Sequence, residues 1–102
     1  MTEEHALMNR IRLALSHKCI LFRVNVGSGR TYDGRHFDTG VPAGFSDLFG
    51  VRTADGKAVF IEVKTGSGRV SGKQQVFIAA MQQAGAIAGI CRSVEEALEL
   101  IQ

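Results

Sequence analysis

The sequence has few of the residues that mark several common protein classes. It contains no tryptophan, one proline and one tyrosine. No apolar stretch approaches the roughly 20 residues that a membrane-spanning helix needs. Its two cysteines, Cys19 and Cys91, lie far apart within apolar runs, which predicts buried free thiols rather than a disulfide or a metal site. The first residues lack the basic start and apolar run of a signal peptide, so we expect an intracellular protein with no membrane partner.

The charge of the chain identifies no partner by itself. The formal net charge is +2 at pH 7, which excludes a strongly basic or acidic protein and is too small to indicate nucleic acid. Arginine outnumbers lysine, and arginine can bind phosphate through two parallel hydrogen bonds, which lysine cannot do. A length of 102 residues predicts a single domain over residues 1–102, with a modest core that a partner subunit would extend.

The apolar pattern predicts the element order α-β-β-β-α-β-α. Two predicted helices span 2–16 and 71–84, and a third begins at 93. The predicted strands span 20–26, 45–51, 58–64 and 86–91. Thr2 and Ser71 are the expected helix caps, and Ser93 with Glu96 is expected to form the capping box of the last helix. Asp55-Gly56 is the turn signal of a hairpin between the second and third strands.

The glycine-rich segment 27–44 has no clear periodicity and contains the only proline, so it predicts a long loop or hairpin excursion of the kind that is often functional. Gly-Ser-Gly-Arg occurs at 27–30 and again at 66–69. Both copies offer backbone N–H groups and a guanidinium to phosphates, but flexible turns have the same composition. Neither copy has the Gly-Lys-Ser/Thr ending of a P-loop, so no nucleotide cofactor is expected.

Two short segments contain the candidate functional residues, namely Gly44-Phe45-Ser46-Asp47 and Phe60-Ile61-Glu62-Val63-Lys64. Alternate strand residues share a face, so Glu62 and Lys64 point the same way. If the two strands pair, Asp47 joins them at one spot, which suits a divalent metal with a water beside it. A Glu-Val-Lys triplet alone is common on solvated strands. Asp47, together with Gln74 in the first turn of the next helix, favours a functional site.

In this order, the motifs resemble the VRR-NUC branch of the PD-(D/E)xK nuclease superfamily over nearly the whole chain. The matching positions are Glu4, segments 22–25, 44–47, 62–65 and 70–74, and Phe77. Two departures are Ser46, where the superfamily name has proline, and Gly72-Lys73, which replaces a proline and an acid. The resemblance implies an α/β fold with a restriction-endonuclease-like α-β-β-β-α-β core, in which helices flank a mixed central sheet.

The resemblance also implies a set of ligands for Mg²⁺ or Mn²⁺. Asp47, Glu62 and the backbone carbonyl of Val63 would hold the metal, whose preference for hard oxygen donors these groups satisfy. Glu4 would bind a second metal or hold a metal-bound water from the first helix. Glu3 is the alternative, although helix spacing puts Glu4 on the apolar stripe and Glu3 outside it.

Lys64 and Gln74 complete the implied catalytic set. Lys64 would orient or deprotonate the attacking water and offset developing negative charge, and Gln74 would position the water or Lys64. Residues that would line a DNA path are Arg23, Asn25, Arg30, Arg35, Arg69 and Lys73, although ordinary solvent-exposed side chains explain them equally well. Tyr32 and Phe37 either wedge or stack on bases near a branch point or pack the long loop onto the domain.

The function implied is a Mg²⁺- or Mn²⁺-dependent endodeoxyribonuclease that hydrolyses phosphodiesters in structured DNA. Short stand-alone members of this family resemble Holliday-junction resolvases of DNA repair and recombination. We therefore expect a homodimer, whose two-fold symmetry matches that of a four-way junction. The alternatives are a nicking, restriction-type or flap endonuclease of the same superfamily, or an inactive nuclease-like DNA-binding subunit.

Overall fold

The structure is a computed structural model that describes residues 2–102. Its elements in chain order are α1 (Glu3–Leu15), β1 (Cys19–Arg23), β2 (Ser28–Arg30), β3 (His36–Asp38), β4 (Leu48–Arg52), β5 (Ala58–Val63), α2 (Gly72–Gln83), β6 (Ile87–Cys91) and α3 (Val94–Leu100). The predicted element order is confirmed, with β2 and β3 added inside the glycine-rich segment.

A mixed sheet with strand order β1-β4-β5-β6 forms the centre of the fold. The pairs β1-β4 and β4-β5 are antiparallel, whereas β6 runs parallel to β5 after the crossover through α2. Helices pack on both faces of this sheet, so the predicted α/β class with a mixed sheet flanked by helices is confirmed. Within residues 2–102, no helix is long and apolar enough to cross a membrane.

The β4-β5 hairpin closes through a tight turn at the predicted Asp55-Gly56. Gly56 has a φ of 72° and donates its N–H to the Arg52 carbonyl at 2.7 Å. Asp55 Oδ2 pairs with Arg52 Nη2 at 2.6 Å, and Asp55 Oδ1 accepts from the Lys57 N–H at 3.2 Å. These hydrogen bonds, first of all the one from Arg52, lower the pKa of Asp55 to about 2. The turn is therefore fixed by side chains as well as by the backbone.

The two faces of the sheet are covered unequally. Helices α1 and α3 bury one face around a core that includes Ile11, Leu48 and Ile61. On the other face, α2 packs through Ile78 mainly onto β5 and β6. The β1-β4 half of that face stays open, and Ile20, Phe22 and Phe49 are 52%, 58% and 37% exposed. We call these three residues the open sheet face.

Most of the predicted boundaries and caps agree with the structure. Thr2 caps α1 through a 3.1 Å hydrogen bond from the His5 N–H, and Ser71 caps α2 in a full capping box with Gln74. Cys19 and Cys91 are buried free thiols, as expected.

Three local predictions were wrong. The strand predicted at 45–51 begins only at Leu48, because Gly44 adopts a φ of 94° and residues 44–47 bend toward α2. The strand predicted at 20–26 ends at Arg23. Glu96 does not close a capping box with Ser93, because its Oε1 accepts from the Arg92 N–H at 2.6 Å.

Residues 28–38 form a separate two-stranded hairpin, which we call the arm. β2 and β3 pair antiparallel with each other and belong to no larger sheet. The Phe37 ring lies across Gly29, where an added Cβ would come within 3.0 Å of it. Phe37 therefore packs within the arm, which differs from the predicted packing of the loop onto the domain. The long glycine-rich segment is in part a hairpin excursion, one of the two forms that the sequence predicts.

Candidate active site

Asp47 and Glu62 meet at the edge of the sheet where β4 begins and β5 ends. The register pairs Leu48 with Ile61, so its continuation by one residue sets Asp47 opposite Glu62. The Val63 N–H donates to Asp47 Oδ2 at 2.9 Å, and the Val24 N–H donates to the Asp47 carbonyl at 2.9 Å. The hairpin thus brings the two predicted carboxylates together and holds Asp47 from both neighbouring strands.

Gly44 lets the Asp47 segment pass close to α2. A Cβ built on Gly44 would lie 2.6 Å from the Lys73 carbonyl oxygen, a distance at which no side chain fits. The Ser46 that stands in place of proline is fully buried, and its Oγ donates to the Leu48 carbonyl at 2.8 Å. Asp47 is therefore positioned by a close backbone approach and a buried hydroxyl.

Glu62 is the most deeply buried acid of the site, with a relative exposure of 2%. Its Oε1 accepts a hydrogen bond from Gln74 Nε2 at 3.0 Å. Gln74 Oε1 accepts in turn from the Ser71 N–H at 2.9 Å, so the cap of α2 orients the amide that contacts Glu62. Glu62 Oε2 has no hydrogen-bond partner among residues 2–102. A buried carboxylate oxygen without a partner is costly and marks a place where a cation would fit.

The environment of Glu62 strongly favours its protonated form in the absence of a cation. Burial raises the pKa of Glu62, and the adjacent Asp47 carboxylate raises it further, to about 8. Glu4 raises this pKa by a smaller amount, whereas the positive charge of Lys64 lowers it. The predicted residues therefore act on one another electrostatically.

Lys64 and Glu4 flank the carboxylate pair. Lys64 directly follows β5, is partly buried, and donates its backbone N–H to the Cys91 carbonyl at 3.1 Å. Glu4 is partly buried on α1, whereas Glu3 is exposed, which favours Glu4 of the two alternatives. In the described part of the chain, no three His, Cys, Asp or Glu side chains are grouped closely enough to hold a metal. Glu4 therefore influences the pair through its charge.

The donor set fits a hard divalent cation. Asp47 and Glu62 contribute oxygens from opposite strands, and Glu62 Oε2 lacks a partner. Val63, whose carbonyl is the third predicted ligand, is the residue whose N–H anchors Asp47. Two converging carboxylates repel each other when both are ionised, and a bound Mg²⁺ or Mn²⁺ would remove that repulsion.

The predicted DNA-path residues are spread over several elements, and all of them are exposed. Arg23 and Asn25 lie at and just beyond the end of β1, and Arg69 and Lys73 lie on either side of the α2 cap. Arg30 and Arg35 lie in the arm, where Arg30 Nη1 donates to the Gly34 carbonyl and Arg35 pairs with Asp33. The arm arginines are thus engaged within the arm.

Sequence reasoning missed Arg92, which braces the loop after Lys64. Its Nη1 donates to the Gly66 carbonyl at 2.9 Å across 26 positions of sequence. Together with Arg10 and Thr65, it lines a cleft of about 690 Å³ between α1, α3 and this loop. The one available signal was its place directly after β6, since parallel strands end at the same edge of a sheet.

Comparisons with known proteins agree with this geometry. The family model of the VRR-NUC domain matches residues 9–95. A solved structure described as a VRR_NUC domain aligns with a TM-score of 0.70 at 18% identity, covering 99% of this chain and 96% of that chain. No curated protein matches the chain. The structural likeness establishes the fold, and the family model spans most of the sequence, so the chain belongs to the VRR-NUC family.

Proposed function

We propose that this VRR-NUC domain is a metal-dependent DNA endonuclease that hydrolyses phosphodiester bonds. Membership of the family implies a nuclease-type domain and a DNA substrate. The observation that carries the proposal is the pairing of Asp47 with the buried Glu62, whose Oε2 lacks a partner. Such a pair is costly when both members are ionised, and a cation bound between them would remove that cost.

The residues would divide the chemistry between them. Asp47, Glu62 and the Val63 carbonyl would hold Mg²⁺ or Mn²⁺, which when bound supplies charge neutralisation at the phosphate and lowers the pKa of a water ligand. Gln74 keeps Glu62 in its ligating orientation through the 3.0 Å hydrogen bond.

Lys64 and Glu4 would act on the attacking water and on the charges around the metal and the phosphate. As an ammonium, Lys64 would orient the attacking water and offset the negative charge that develops on the phosphate; as a neutral amine, it would instead accept the proton of that water. Glu4 adds negative charge beside the pair, which supports a role in holding a second metal or a metal-bound water.

We infer a homodimer that cuts branched DNA, with a four-way junction as the preferred substrate. The open sheet face supports this inference, because three large apolar side chains next to each other on β1 and β4 are exposed. An apolar cleft of about 800 Å³, lined by Phe45, Phe77 and neighbouring residues, continues this surface toward α2. A second copy packed on this surface would give two sites related by two-fold symmetry.

The decisive experiment compares the wild-type chain with Asp47→Asn on labelled four-way junction, flap and linear duplex in the presence of Mg²⁺ or Mn²⁺. We expect metal-dependent cleavage that favours the junction and is lost in Asp47→Asn. Residual activity in Asp47→Asn would overturn the assignment of the site. Equal cutting of all three substrates would overturn the junction preference and favour the nicking or restriction-type alternative.

The alternative of an inactive DNA-binding subunit predicts a different result. Such a subunit would bind DNA without cutting it, and binding would not require Asp47. Asp47, Glu62 and Lys64 are all present, and the hydrogen bonds that position the two acids are formed. These features favour the active enzyme.

A further inference from the structure

The arm leaves the sheet at the same edge as the carboxylate pair. β1 ends at Arg23, and the next residue, Val24, is bound through its N–H to the Asp47 carbonyl. Gly27, with a φ of 106°, and Gly40, with a φ of 78°, flank the base of the arm. The Thr39 N–H and Oγ1 each donate to the Gly27 carbonyl at 3.0 Å and close that base. A substrate held at Asp47 would therefore lie beside the root of the arm.

The tip of the arm is held in one conformation by its own hydrogen bonds. The Thr31 N–H donates to the Arg35 carbonyl at 2.7 Å, and the Gly34 N–H donates back to the Thr31 carbonyl at 2.9 Å. The Arg30 side chain donates to the Gly34 carbonyl at 3.0 Å. An isolated two-stranded hairpin is usually only marginally stable in water, so the tip depends on these hydrogen bonds for its conformation.

Tyr32 is the one side chain of this tip that makes no contact. It is fully exposed and, in the described structure, has neither a hydrogen bond nor a ring neighbour. The charges around it cancel, because Arg35 pairs with Asp33 at 3.1 Å and the remaining arm charges, Arg30 and Asp38, are of opposite sign. The tip therefore presents a free aromatic ring with little net attraction for phosphates.

We propose that the arm is a base-stacking element whose Tyr32 ring stacks on a nucleobase exposed where base stacking in the DNA is interrupted. This inference rests on the proposed function. Every base has an aromatic face, so stacking tolerates any sequence. In continuous duplex those faces are covered by neighbouring base pairs, whereas a branch point or single-strand end exposes them. The arm thus selects the shape of the substrate beside the metal site without taking part in the chemistry.

The test measures binding separately from cleavage. In the full chain carrying Asp47→Asn, Tyr32→Ala and Tyr32→Phe are titrated against a four-way junction and a linear duplex of equal length. Each DNA carries 2-aminopurine, at the branch in the junction. Because stacking on one base is worth about 1–3 kcal/mol, we expect Tyr32→Ala to weaken junction binding by about 5- to 150-fold. We expect duplex binding to stay unchanged, and Tyr32→Phe to behave as the parent does.

The fluorescence of 2-aminopurine separates stacking from other contacts. At saturating protein, the parent and Tyr32→Phe should change the emission of the branch base, and Tyr32→Ala should not. Equal junction binding by the parent and Tyr32→Ala would overturn the inference, as would an equal loss of affinity for both DNAs. A loss of self-association in Tyr32→Ala, measured by sedimentation, would show that the tip contacts a second copy of the chain, and this would overturn the inference. Wild-type cleavage of the junction with no effect of Tyr32→Ala on junction binding would overturn the arm alone, whereas failure of the wild-type chain to bind or cleave either DNA would overturn both proposals.

Discussion

The Val63 N–H donates to Asp47 Oδ2 at 2.9 Å, so the residue after Glu62 anchors the carboxylate that faces Glu62. One strand end thereby sets the position of both acids. Backbone hydrogen bonds of this kind are made before any ligand arrives, and they hold the Asp47 carboxyl group in place. The assembled site mainly disfavours the ionised form of Glu62, whose pKa is raised to about 8 by burial and by Asp47.

Metal affinity should rise with pH until Glu62 is ionised. Below pH 8 the metal-free protein carries a proton on Glu62, and a divalent cation must displace it. We expect Mg²⁺ or Mn²⁺ affinity to increase about tenfold per pH unit up to about pH 8 and to level off above it. Calorimetric titration in buffers of different ionisation enthalpy measures the released proton. Affinity that does not vary between pH 6 and pH 8 would contradict this prediction.

The stability of the metal-free protein should show the opposite trend. A raised pKa means that the folded state retains a proton that the unfolded state loses near 4.5, so this contribution is complete below pH 4.5 and lost as pH rises through 8. We expect the Tm measured in EDTA to fall over this range. Glu62→Gln is the control, because it cannot ionise and should remove this part of the pH dependence.

Gln74 should matter for both stability and activity. Gln74→Ala removes the donor to Glu62 and one half of the capping box of α2. We expect a loss of about 1–3 kcal/mol in the free energy of unfolding, together with reduced cleavage. Gln75→Ala is the matched control, because Gln75 is the exposed neighbour on the same helix and should cost less than about 0.5 kcal/mol. Urea unfolding of the two variants gives the comparison, and equal losses would contradict the role of Gln74.

A comparison of Gly44 with Gly85 separates two contributions to the cost of an alanine substitution, namely backbone strain and a steric clash of the added Cβ. Both glycines have a φ of 94°, but a Cβ on Gly44 would meet the Lys73 carbonyl at 2.6 Å, whereas nothing lies within 4 Å of one on Gly85. Gly85→Ala should cost about 1–2 kcal/mol from backbone strain alone. Gly44→Ala should cost about 1–3 kcal/mol more and reduce metal binding, because the Asp47 segment must move. Similar unfolding energies for the two variants would contradict the close approach.

The open sheet face should govern self-association. Phe22→Glu places a charge in the middle of this apolar surface, and we expect the dimer Kd to rise at least about tenfold in sedimentation velocity. Leu13→Glu is the control, because Leu13 is an even more exposed apolar residue on α1, away from this face. A dimer that persists in Phe22→Glu would place the interface elsewhere.

The sequence was informative where the signal is local. The apolar run before Glu62 predicts a buried strand, and Ser71 with Gln74 predicts the start of a helix. The elements that carry the residues around Glu62 could therefore be predicted from the sequence. The hairpin itself follows from the Asp55-Gly56 turn signal. Its register does not, because a two-residue Asp-Gly turn would set Asp47 opposite Lys64, whereas the connection has four residues, 53–56, and sets Asp47 opposite Glu62.

The remaining features depend on contacts between distant segments. The late start of β4 follows from the approach of Gly44 to Lys73, which no local pattern encodes. The Arg92 contact with the Gly66 carbonyl links positions far apart and uses a backbone acceptor that any residue would offer. The strands of the arm are only three residues long and rich in glycine and polar residues, so strand propensity gives them no signal.

The tight turn of the β4-β5 hairpin has a consequence for how this nuclease domain tolerates change. Glu62 faces α2 only because the turn contains its present number of residues, and a slip of one position would send it into the apolar core beneath α1. The turn lies at the opposite end of β4, roughly 15 Å from the acids at about 3.4 Å per residue. A single-residue insertion beside Asp55 that shifted the strand register would thus separate Glu62 from Asp47 without altering either residue. A two-residue slip would keep Glu62 on the α2 face but would move it away from Asp47, so only an insertion that the turn itself absorbs would leave the pair intact.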